Sequence, residues 1–351
     1  MNTKIINIDK DNIDGEALKE AGQIIRDGGL VAFPTETVYG LGANALDAQA
    51  AMKVYAAKGR PSDNPLIAHI CDIEMLKPLV KKIPPVAEKL MDAFWPGPLT
   101  LIFEKSDIVP KGTTGGLDTV AIRFPNHPIA SRLIKEAGTS IAAPSANLSG
   151  KPSPTLGEHV IDDLDGRIDM IIDGGMVGMG LESTIIDVTV DPPLVLRPGF
   201  ITYEMAKKVV SNLEIDQAIL KKPVEGLKPK APGMKYKHYA PKADMVIVDG
   251  PSDAVVSKIN ALVHQKQENG QKVAVIATEE SGPSYHADVI LSMGSRLDED
   301  AIAQHLYRIL RECDELHVDA IYSESFQTPR IGQAIMNRLL KAAGHTVIHC
   351  D

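Results

Sequence analysis

The chain has 351 residues, of which 44% are hydrophobic and 24% are charged, a composition typical of globular proteins. This length exceeds what one ordinary hydrophobic core organises, so it favours two domains. The net charge of −9 and the aromatic content of 4% argue against a protein that binds nucleic acid by bulk charge or by stacking.

The cysteine pattern favours a reducing compartment. Cys71, Cys313 and Cys350 are scattered, and no two of them have the C-x-x-C spacing of a zinc site. The first residues lack the apolar core of a secretory signal, and no apolar run approaches the ~18 residues of a membrane span. We therefore predict a cytoplasmic protein with no membrane partner.

The chain from 1 to 214 predicts one α/β domain. Apolar residues at helical spacing predict helices over 14–27, 48–57, 85–93, 128–137 and 203–212. Short apolar runs predict strands over 30–33, 66–70, 99–103, 120–124, 141–143, 170–173, 184–190 and 194–196. Because helices and strands alternate irregularly, we expect a mixed sheet with flanking helices.

Residues 215–243 predict a linker between two domains. The segment 221–242 contains seven lysines, four prolines and one acidic residue, so it can form neither a regular helix nor a strand. Tyr236 and Tyr239 lie among its cations, which indicates a segment that packs on the protein and closes over a ligand.

Regular alternation returns from 244 to 351. Strands are predicted over 245–248, 272–277, 287–291, 320–323 and 347–349, and helices over 253–267, 298–313 and 330–343. This pattern predicts a smaller Rossmann-like domain with a parallel sheet. The turn after its first strand lacks G-x-G-x-x-G, so no dinucleotide is assigned to it.

The densest polar cluster lies between positions 33 and 69. PTETVYGLG at 34–42 follows a buried strand, and ligands of α/β sheets bind at strand ends. AAKGRPSDNPLIAH at 56–69 contains Lys58 and Arg60, whose ammonium and guanidinium groups together suit a polyphosphate. Ordinary turn chemistry in the first segment and a solvated loop in the second are the structural alternatives.

Two further clusters follow along the chain. Ser145 and Asn147 lie in a run of small residues, which lets a ligand approach the backbone closely. The glycine-rich segment 174–184 leads into a strand, and it either exposes Ser183 to a ligand or forms a simple hairpin.

Three charged or titratable side chains lie at predicted strand ends. Arg123 and Arg197 each need an anionic partner, which either the protein or a ligand could supply. His69 follows three apolar residues, and such a histidine is more often a satisfied core residue than a functional one.

These clusters, in this order, resemble the threonylcarbamoyl-AMP synthases, whose catalytic module is the YrdC-like domain. The matching segments are PTETVYGLG at 34–42, Lys58 with Arg60, NPL at 64–66, AIRFP at 121–125, APSAN at 143–147 and ESTIID at 182–187. The resemblance implies a YrdC-like twisted mixed sheet over 1–214. The linker and the Rossmann-like tail are similar to the two-domain form of the family.

The resemblance implies a nucleotidyltransferase. Members of the family make L-threonylcarbamoyladenylate and pyrophosphate from L-threonine, bicarbonate and ATP. A Mg²⁺ ion that arrives with ATP needs few protein ligands and leaves little trace in a sequence. Because the product serves t⁶A modification of tRNA, the implied partner is the downstream tRNA threonylcarbamoyl transferase machinery, with tRNA itself an indirect partner.

The resemblance also implies the site residues. It implies a catalytic set around the phosphates and the reacting centre: Lys58, Arg60, Ser145 and Asn147. It implies further ATP-binding positions: Asn64, Thr119, Ser153, Arg197 and Tyr236. It implies a threonine site: Thr37, His69, Arg123, Ala143 and Ser183. Tyr239 is the substitute for Tyr236, and we expect both Lys58 and Arg60 to be exposed.

Two alternatives come from other classes of protein. An RNA-binding module using the concave face of the YrdC-like sheet would draw on the lysine-rich linker, but the acidic net charge and the few aromatic residues count against it. A carbamoyl-transfer domain of a larger maturation enzyme would carry zinc-finger or acylphosphatase modules, and the corresponding cysteines are missing from the sequence.

Overall fold

The computed structural model describes residues 2–219, 239–326 and 329–351. They form two compact units, of which the first comprises 2–149 and 153–219, and the second 150–152, 239–326 and 329–351. The predicted linker lies largely outside the described residues, so the boundaries 1–214, 215–243 and 244–351 stay predictions. Among the helices of the described ranges, none combines the length and the hydropathy that a transmembrane segment requires.

The first unit alternates short strands with helices. Its helices are α1 Gly15–Arg26, α2 Ala48–Lys58, α3 Pro85–Phe94, α4 Pro128–Ala137, α5 Gly157–Leu164 and α6 Tyr203–Val209. Its strands are β1 Lys4–Asn7, β2 Val31–Phe33, β3 Gly40–Asn44, β4 Ile67–His69, β5 Leu99–Glu104, β6 Thr119–Arg123, β7 Ile141–Ala142, β8 Met170–Asp173, β9 Thr184–Asp187, β10 Leu194–Arg197 and β11 Glu214–Ile215.

The second helix shows how the local sequence sets an element and its ends. The Asp47 side chain accepts hydrogen bonds from the amides of Gln49 and Ala50 and so caps the N-terminus of α2. Gly59 ends the helix with φ 62°, a left-handed conformation that glycine adopts without steric cost. Lys58 is therefore the last helical residue, and its position is fixed by the cap that follows it.

All eleven strands form one mixed sheet in the order β1-β8-β2-β3-β7-β4-β6-β5-β9-β10-β11. The predicted fold class is confirmed, since the sheet contains parallel pairs such as β4 with β6 and antiparallel pairs such as β5 with β6. Because β8 and β9 are far apart in this order, the glycine-rich segment between them is a crossing connection, and the hairpin alternative is wrong.

The sequence misses four elements of the first unit: β1, β3, α5 and β11. The strand β3 reads GLGAN and contains no β-branched residue, so local propensity does not predict it. It forms because it pairs antiparallel with β2 on one side and with β7 on the other. Strand pairing thus overrides local propensity.

The two faces of the central strands differ in what they contact. Side chains of alternate residues point to opposite faces, and one face contributes Ala68, Leu101, Ile122 and Ile186 to the main hydrophobic core. The opposite face carries a much smaller apolar cluster: Ile67, Ile102, Ala121, Ile185 and Leu196. Polar side chains flank this smaller cluster, so this face holds the candidate site.

The second unit has a five-stranded sheet. Its strands are β12 Asp244–Asp249, β13 Val273–Ala277, β14 Val289–Ser292, β15 Ala320–Glu324 and β16 Val347–His349, and its helices are α7 Ser252–Glu268, α8 Glu299–Glu315 and α9 Gly332–Ala342. All pairings are parallel, which confirms the predicted parallel sheet. The order is β14-β13-β15-β12-β16, with the fourth strand inserted between the first and the second.

Candidate active site

Two parallel strands bring the core of the site together. His69 ends β4 and Arg123 ends β6, and the two residues are partners in the register of the pair. Thr100 on the antiparallel strand β5 is the partner of Arg123 on its other side. Carboxyl ends of neighbouring parallel strands meet at one edge, which explains why residues distant in sequence lie side by side.

Arg123 is the charged centre of this region. Its side chain is buried, with only 4% of the residue exposed, so the guanidinium must be compensated by the protein. Nη1 donates a hydrogen bond of 2.8 Å to Thr37 Oγ1, and Nη2 lies 2.7 Å from Glu36 Oε1. The structure therefore joins two residues of the predicted threonine site, Arg123 and Thr37, and adds Glu36.

Glu36 is the site residue to which the sequence assigns no role. Burial raises the pKa of the Glu36 carboxyl, but the charge and contact of Arg123, together with the backbone of Asn126 and of Glu36 itself, hold that pKa below its usual range. The contact with Arg123 is an ion pair by distance, yet neither carboxylate oxygen makes a directional hydrogen bond. The sequence does contain a signal for Glu36 as a site residue, because it is an acidic residue between two threonines just after a fully apolar strand.

Two neutral imidazoles lie close to this ion pair. His69 Nδ1 donates to the Ile67 carbonyl at 3.1 Å, and burial together with the Arg123 charge lowers its pKa to about 3. His127 lies just before α4, its Nδ1 is buried without a hydrogen-bond partner, and burial lowers its pKa to about 4. His69 is thus both a satisfied buried histidine and a neighbour of the site.

The depressed pKa of His69 predicts acid sensitivity. The pKa of the His69 imidazole is lower in the folded protein than in the unfolded chain. Its contribution to the free energy of unfolding is therefore complete above pH 6.5 and is lost as the pH falls towards 3. Between pH 7 and pH 5 this imidazole alone removes about 2 kcal/mol from the free energy of unfolding. We expect the free energy of unfolding of the His69→Gln variant, measured by urea denaturation, to fall over this pH range by about 2 kcal/mol less than that of the unaltered protein.

The exposed His264 on α7 provides the control for this measurement. His264→Gln should reproduce the acid sensitivity of the unaltered protein, because that side chain is 73% exposed. A His69→Gln variant whose stability fell with pH as steeply as that of the unaltered protein would contradict the assignment.

Ser183 connects residues of the predicted threonine site to Arg197, a predicted ATP-binding position. Its Oγ lies 2.7 Å from Thr100 Oγ1 and accepts a hydrogen bond of 3.2 Å from Arg197 Nη2. Arg197 Nε also donates to the Ser183 carbonyl at 3.0 Å. Arg197 therefore contacts the hydroxyl and the carbonyl of the residue just before β9.

Backbone hydrogen bonds link the PTETVYGLG segment to the glycine-rich segment 174–184 and to the small-residue run that contains Ser145 and Asn147. The Met179 amide donates to the Glu36 carbonyl at 2.9 Å, and the Gly180 amide donates to the Thr37 carbonyl at 3.0 Å. The Ala146 amide donates to the Tyr39 carbonyl at 2.8 Å. The glycine-rich connection and the small-residue run therefore lie on either side of the PTETVYGLG segment.

Lys58 reaches into the small-residue run. Its Nζ donates to the carbonyls of Ser145 and Asn147, and Ser145 Oγ donates to Asn147 Oδ1 at 2.5 Å. The expectation of an exposed Lys58 is wrong, since the residue is only 2% exposed. The carbonyl oxygens replace water around the ammonium group, so burial of this lysine is tolerated.

Arg60 is half-buried, so the expectation that it is exposed is wrong as well. Its Nη2 donates to the Pro65 carbonyl at 3.2 Å and its Nε to the Asn64 carbonyl at 3.4 Å. Asn64 is buried just before β4, and its Oδ1 has no hydrogen-bond partner. Thr119 begins β6, at the end of the strand opposite Arg123.

The remaining predicted positions divide into three cases. Ser153 Oγ donates to Glu182 Oε1 at 2.6 Å, and both residues are buried. Ala143 is buried just after β7, and its amide donates to the Ile67 carbonyl at 2.8 Å. Tyr236 lies outside the described residues. Among the residues that the structure describes, no three His, Cys, Asp or Glu side chains form a group that could hold a metal ion.

Two family models match consecutive parts of the chain. A model described as telomere recombination matches residues 23–199, and one described as the C-terminal domain of threonylcarbamoyl-AMP synthase matches residues 201–344. The curated threonylcarbamoyl-AMP synthase of Pyrococcus abyssi is 50% identical over 99% of both chains. The chain belongs to the threonylcarbamoyl-AMP synthase family.

Other members of the threonylcarbamoyl-AMP synthase family agree with this assignment. The Bacillus subtilis threonylcarbamoyl-AMP synthase is 50% identical over 94% of each chain. The crystal structure of P. abyssi Sua5 complexed with L-threonine matches with a TM-score of 0.94 and 48% identity, over 99% of this chain and 100% of that one. The family, the enzyme class and the two-domain architecture predicted from the sequence are confirmed.

Proposed function

We propose that the protein makes L-threonylcarbamoyladenylate and pyrophosphate from L-threonine, bicarbonate and ATP. The observation that carries the proposal is the buried guanidinium of Arg123, whose Nη1 lies 2.8 Å from Thr37 Oγ1. It lies on the face of the sheet that carries the smaller apolar cluster. A cation held at a strand end beside hydroxyl groups suits the carboxylate and the hydroxyl of threonine. The P. abyssi relative complexed with L-threonine supports this ligand.

The threonine subsite is proposed at the carboxyl ends of β4 and β6. Arg123 binds the carboxylate, and the hydroxyls of Thr37 and Ser183 contact the hydroxyl or the amine of the substrate. His69 and Ala143 complete the subsite, and both are buried there. The neutral form of His69 fits this position, because a second positive charge beside Arg123 would be repelled.

The ATP subsite is proposed along the same face towards the amino end of β6. Thr119 and Arg123 lie on one side of the strand, about 13 Å apart, so one strand can contact both substrates. Lys58, Arg60, Ser145 and Asn147 are proposed at the phosphates and the reacting centre, with Asn64 further along the nucleotide. Ser153, Arg197 and Tyr236 complete the set.

The chemistry requires positioning and charge stabilisation from the protein. The amine of threonine captures the carbon of bicarbonate to form a carbamate, and a carbamate oxygen then attacks the α-phosphorus of ATP while pyrophosphate leaves. Neither step needs a protein nucleophile. The ammonium of Lys58 and the guanidinium of Arg60 would stabilise the charge that develops on the phosphate oxygens.

Mg²⁺ is proposed to enter as part of the Mg–ATP substrate. Buried carboxylates near the described site are engaged with protein partners, Glu182 with Ser153 and Glu36 with Arg123. The ion would therefore be held mainly by phosphate oxygens and water, as is common for Mg²⁺ at nucleotide sites.

The proposed setting is the t⁶A modification of tRNA in the cytoplasm. The adenylate would be consumed by tRNA threonylcarbamoyl transferase machinery, and tRNA would be an indirect partner. Release of pyrophosphate makes the adenylate an activated donor, which a transferase can use without further ATP.

Release of pyrophosphate should depend on threonine. The protein mixed with ATP, Mg²⁺, L-threonine and bicarbonate should release pyrophosphate and form a product with the mass of threonylcarbamoyladenylate. Omission of threonine should abolish both signals, because the carbamate is the attacking group. Pyrophosphate release that is indifferent to threonine would refute the proposal.

A further inference from the structure

Glu36 is a charged side chain of the site to which the proposed function assigns no role. It is 8% exposed, and its Oε1 lies 2.7 Å from Arg123 Nη2. Neither of its carboxylate oxygens makes a hydrogen bond of good geometry, although Arg123 and the backbone of Asn126 lie close enough to lower its pKa. A buried carboxylate with unused acceptor capacity is costly, so it favours a ligand that brings donors and positive charge.

The pair of Glu36 and Arg123 matches the two charges of an amino-acid zwitterion. When a substrate carboxylate occupies Arg123 Nη2, the substrate ammonium is only one carbon atom away from that carboxylate. The Glu36 carboxylate, displaced from Arg123, is then within reach of the ammonium. Threonine binding replaces one ion pair by two, so no buried charge is left uncompensated.

We propose that Glu36 binds the ammonium group of threonine and accepts the proton that this group gives up when the carbamate forms. The inference rests on the proposed function and deepens it, because it names the residue that holds and deprotonates the reacting amine.

The proton balance of carbamate formation requires one acceptor. A bond forms between the threonine nitrogen and the carbon of bicarbonate, and one carbon–oxygen bond of bicarbonate breaks. Two protons leave the nitrogen: one departs with the released oxygen as water, and the other remains to be accepted. Glu36 takes this second proton, and solvent receives it from Glu36 after the product leaves.

The surroundings of Glu36 suit a base that is activated by the substrate. Burial raises the pKa of Glu36, and in the free protein Arg123 on β6 and nearby backbone groups together keep that pKa low. A substrate carboxylate on Arg123 weakens this lowering, so the proton affinity of Glu36 increases. His69 at the end of β4 and His127 before α4 are neutral near pH 7, since their pKa values are lowered to about 3 and about 4.

A ligand comparison tests the ammonium contact. In isothermal titration calorimetry, the unaltered protein should bind L-threonine about 10- to 100-fold more tightly than the hydroxy acid in which a hydroxyl replaces the ammonium. Glu36→Gln should lose most of this preference. Glu324→Gln should retain it, because Glu324 is a buried glutamate paired with Arg296 in the second unit. Equal affinities for the two ligands in the unaltered protein would overturn the proposal without any variant.

A pH–rate profile tests the proton transfer. Without a base, the Glu36→Gln variant must use threonine that has lost its proton in solution, so its kcat/KM for threonine should rise about tenfold per pH unit up to the pKa of the ammonium of free threonine. The unaltered protein should show a much flatter profile over this range. A residue that only holds Arg123 in place would raise the KM for threonine without steepening the profile. Identical profiles would therefore overturn the proton transfer.

The proposed function and the role of Glu36 are refuted by different results. An unaltered protein that releases no threonine-dependent pyrophosphate refutes the proposed function. An active unaltered protein whose Glu36→Gln variant keeps both the ligand preference and the flat profile refutes only the role of Glu36.

Discussion

Lys58→Met is expected to lower the turnover of threonine-dependent pyrophosphate release by about 10²–10³-fold, the usual effect of removing one preorganised donor from a transition state. Methionine preserves the length and the apolar stem of the side chain but removes the ammonium that contacts the carbonyls of Ser145 and Asn147. Since the charge of Lys58 matters most when pyrophosphate leaves, kcat should fall more than the affinity for ATP. Steady-state kinetics with ATP and threonine varied separately measures both.

The same helix provides the control for Lys58. Lys53 also donates from Nζ to a backbone carbonyl, that of Gly28, at 2.6 Å, and it makes no hydrogen bond or ion pair with the candidate site residues that the structure describes. Lys53→Met should therefore keep normal turnover. Circular dichroism and thermal unfolding of both variants separate a loss of activity from a loss of structure. A folded Lys58→Met protein with the turnover of Lys53→Met would exclude the phosphate role.

Arg123→Met is expected to raise the KM for threonine about 100-fold or more, because the charge-assisted contacts to the substrate carboxylate are lost. The same change should lower the free energy of unfolding by about 3–5 kcal/mol, since it leaves Glu36 buried without its cation. Kinetics and urea denaturation report these two effects independently.

A second substitution separates stability from binding. The double variant Arg123→Met with Glu36→Gln removes the uncompensated charge, so it should regain much of the lost stability while threonine affinity stays low. Arg132 on α4 pairs with Glu136 at a position that is 44% exposed, and Arg132→Met should change stability by less than about 1 kcal/mol. Normal threonine kinetics in a folded Arg123→Met protein would rule out the carboxylate role.

Local sequence predicts the bounds of an element correctly where the element is stabilised mainly by its own residues. The helix α4 and the strand β8 have the bounds that apolar spacing predicts, 128–137 and 170–173. Elements whose stability comes from neighbours were missed, and β3 is the clearest example, because its glycines disfavour a strand until two partners pair with it. Likewise, the hairpin alternative for 174–184 failed because strand order is a property of the whole sheet.

The sequence by itself determined the family and the chemical classes of group at the site, since motif order and residue type are readable without coordinates. Only the tertiary structure decided which of these groups touch. It buried Lys58 against two carbonyls and joined Ser183 to Arg197 across β9 and β10. It also set Glu36 against Arg123, 87 positions apart in the chain. Burial and partner distances depend on how distant strands pair, and no local pattern encodes them.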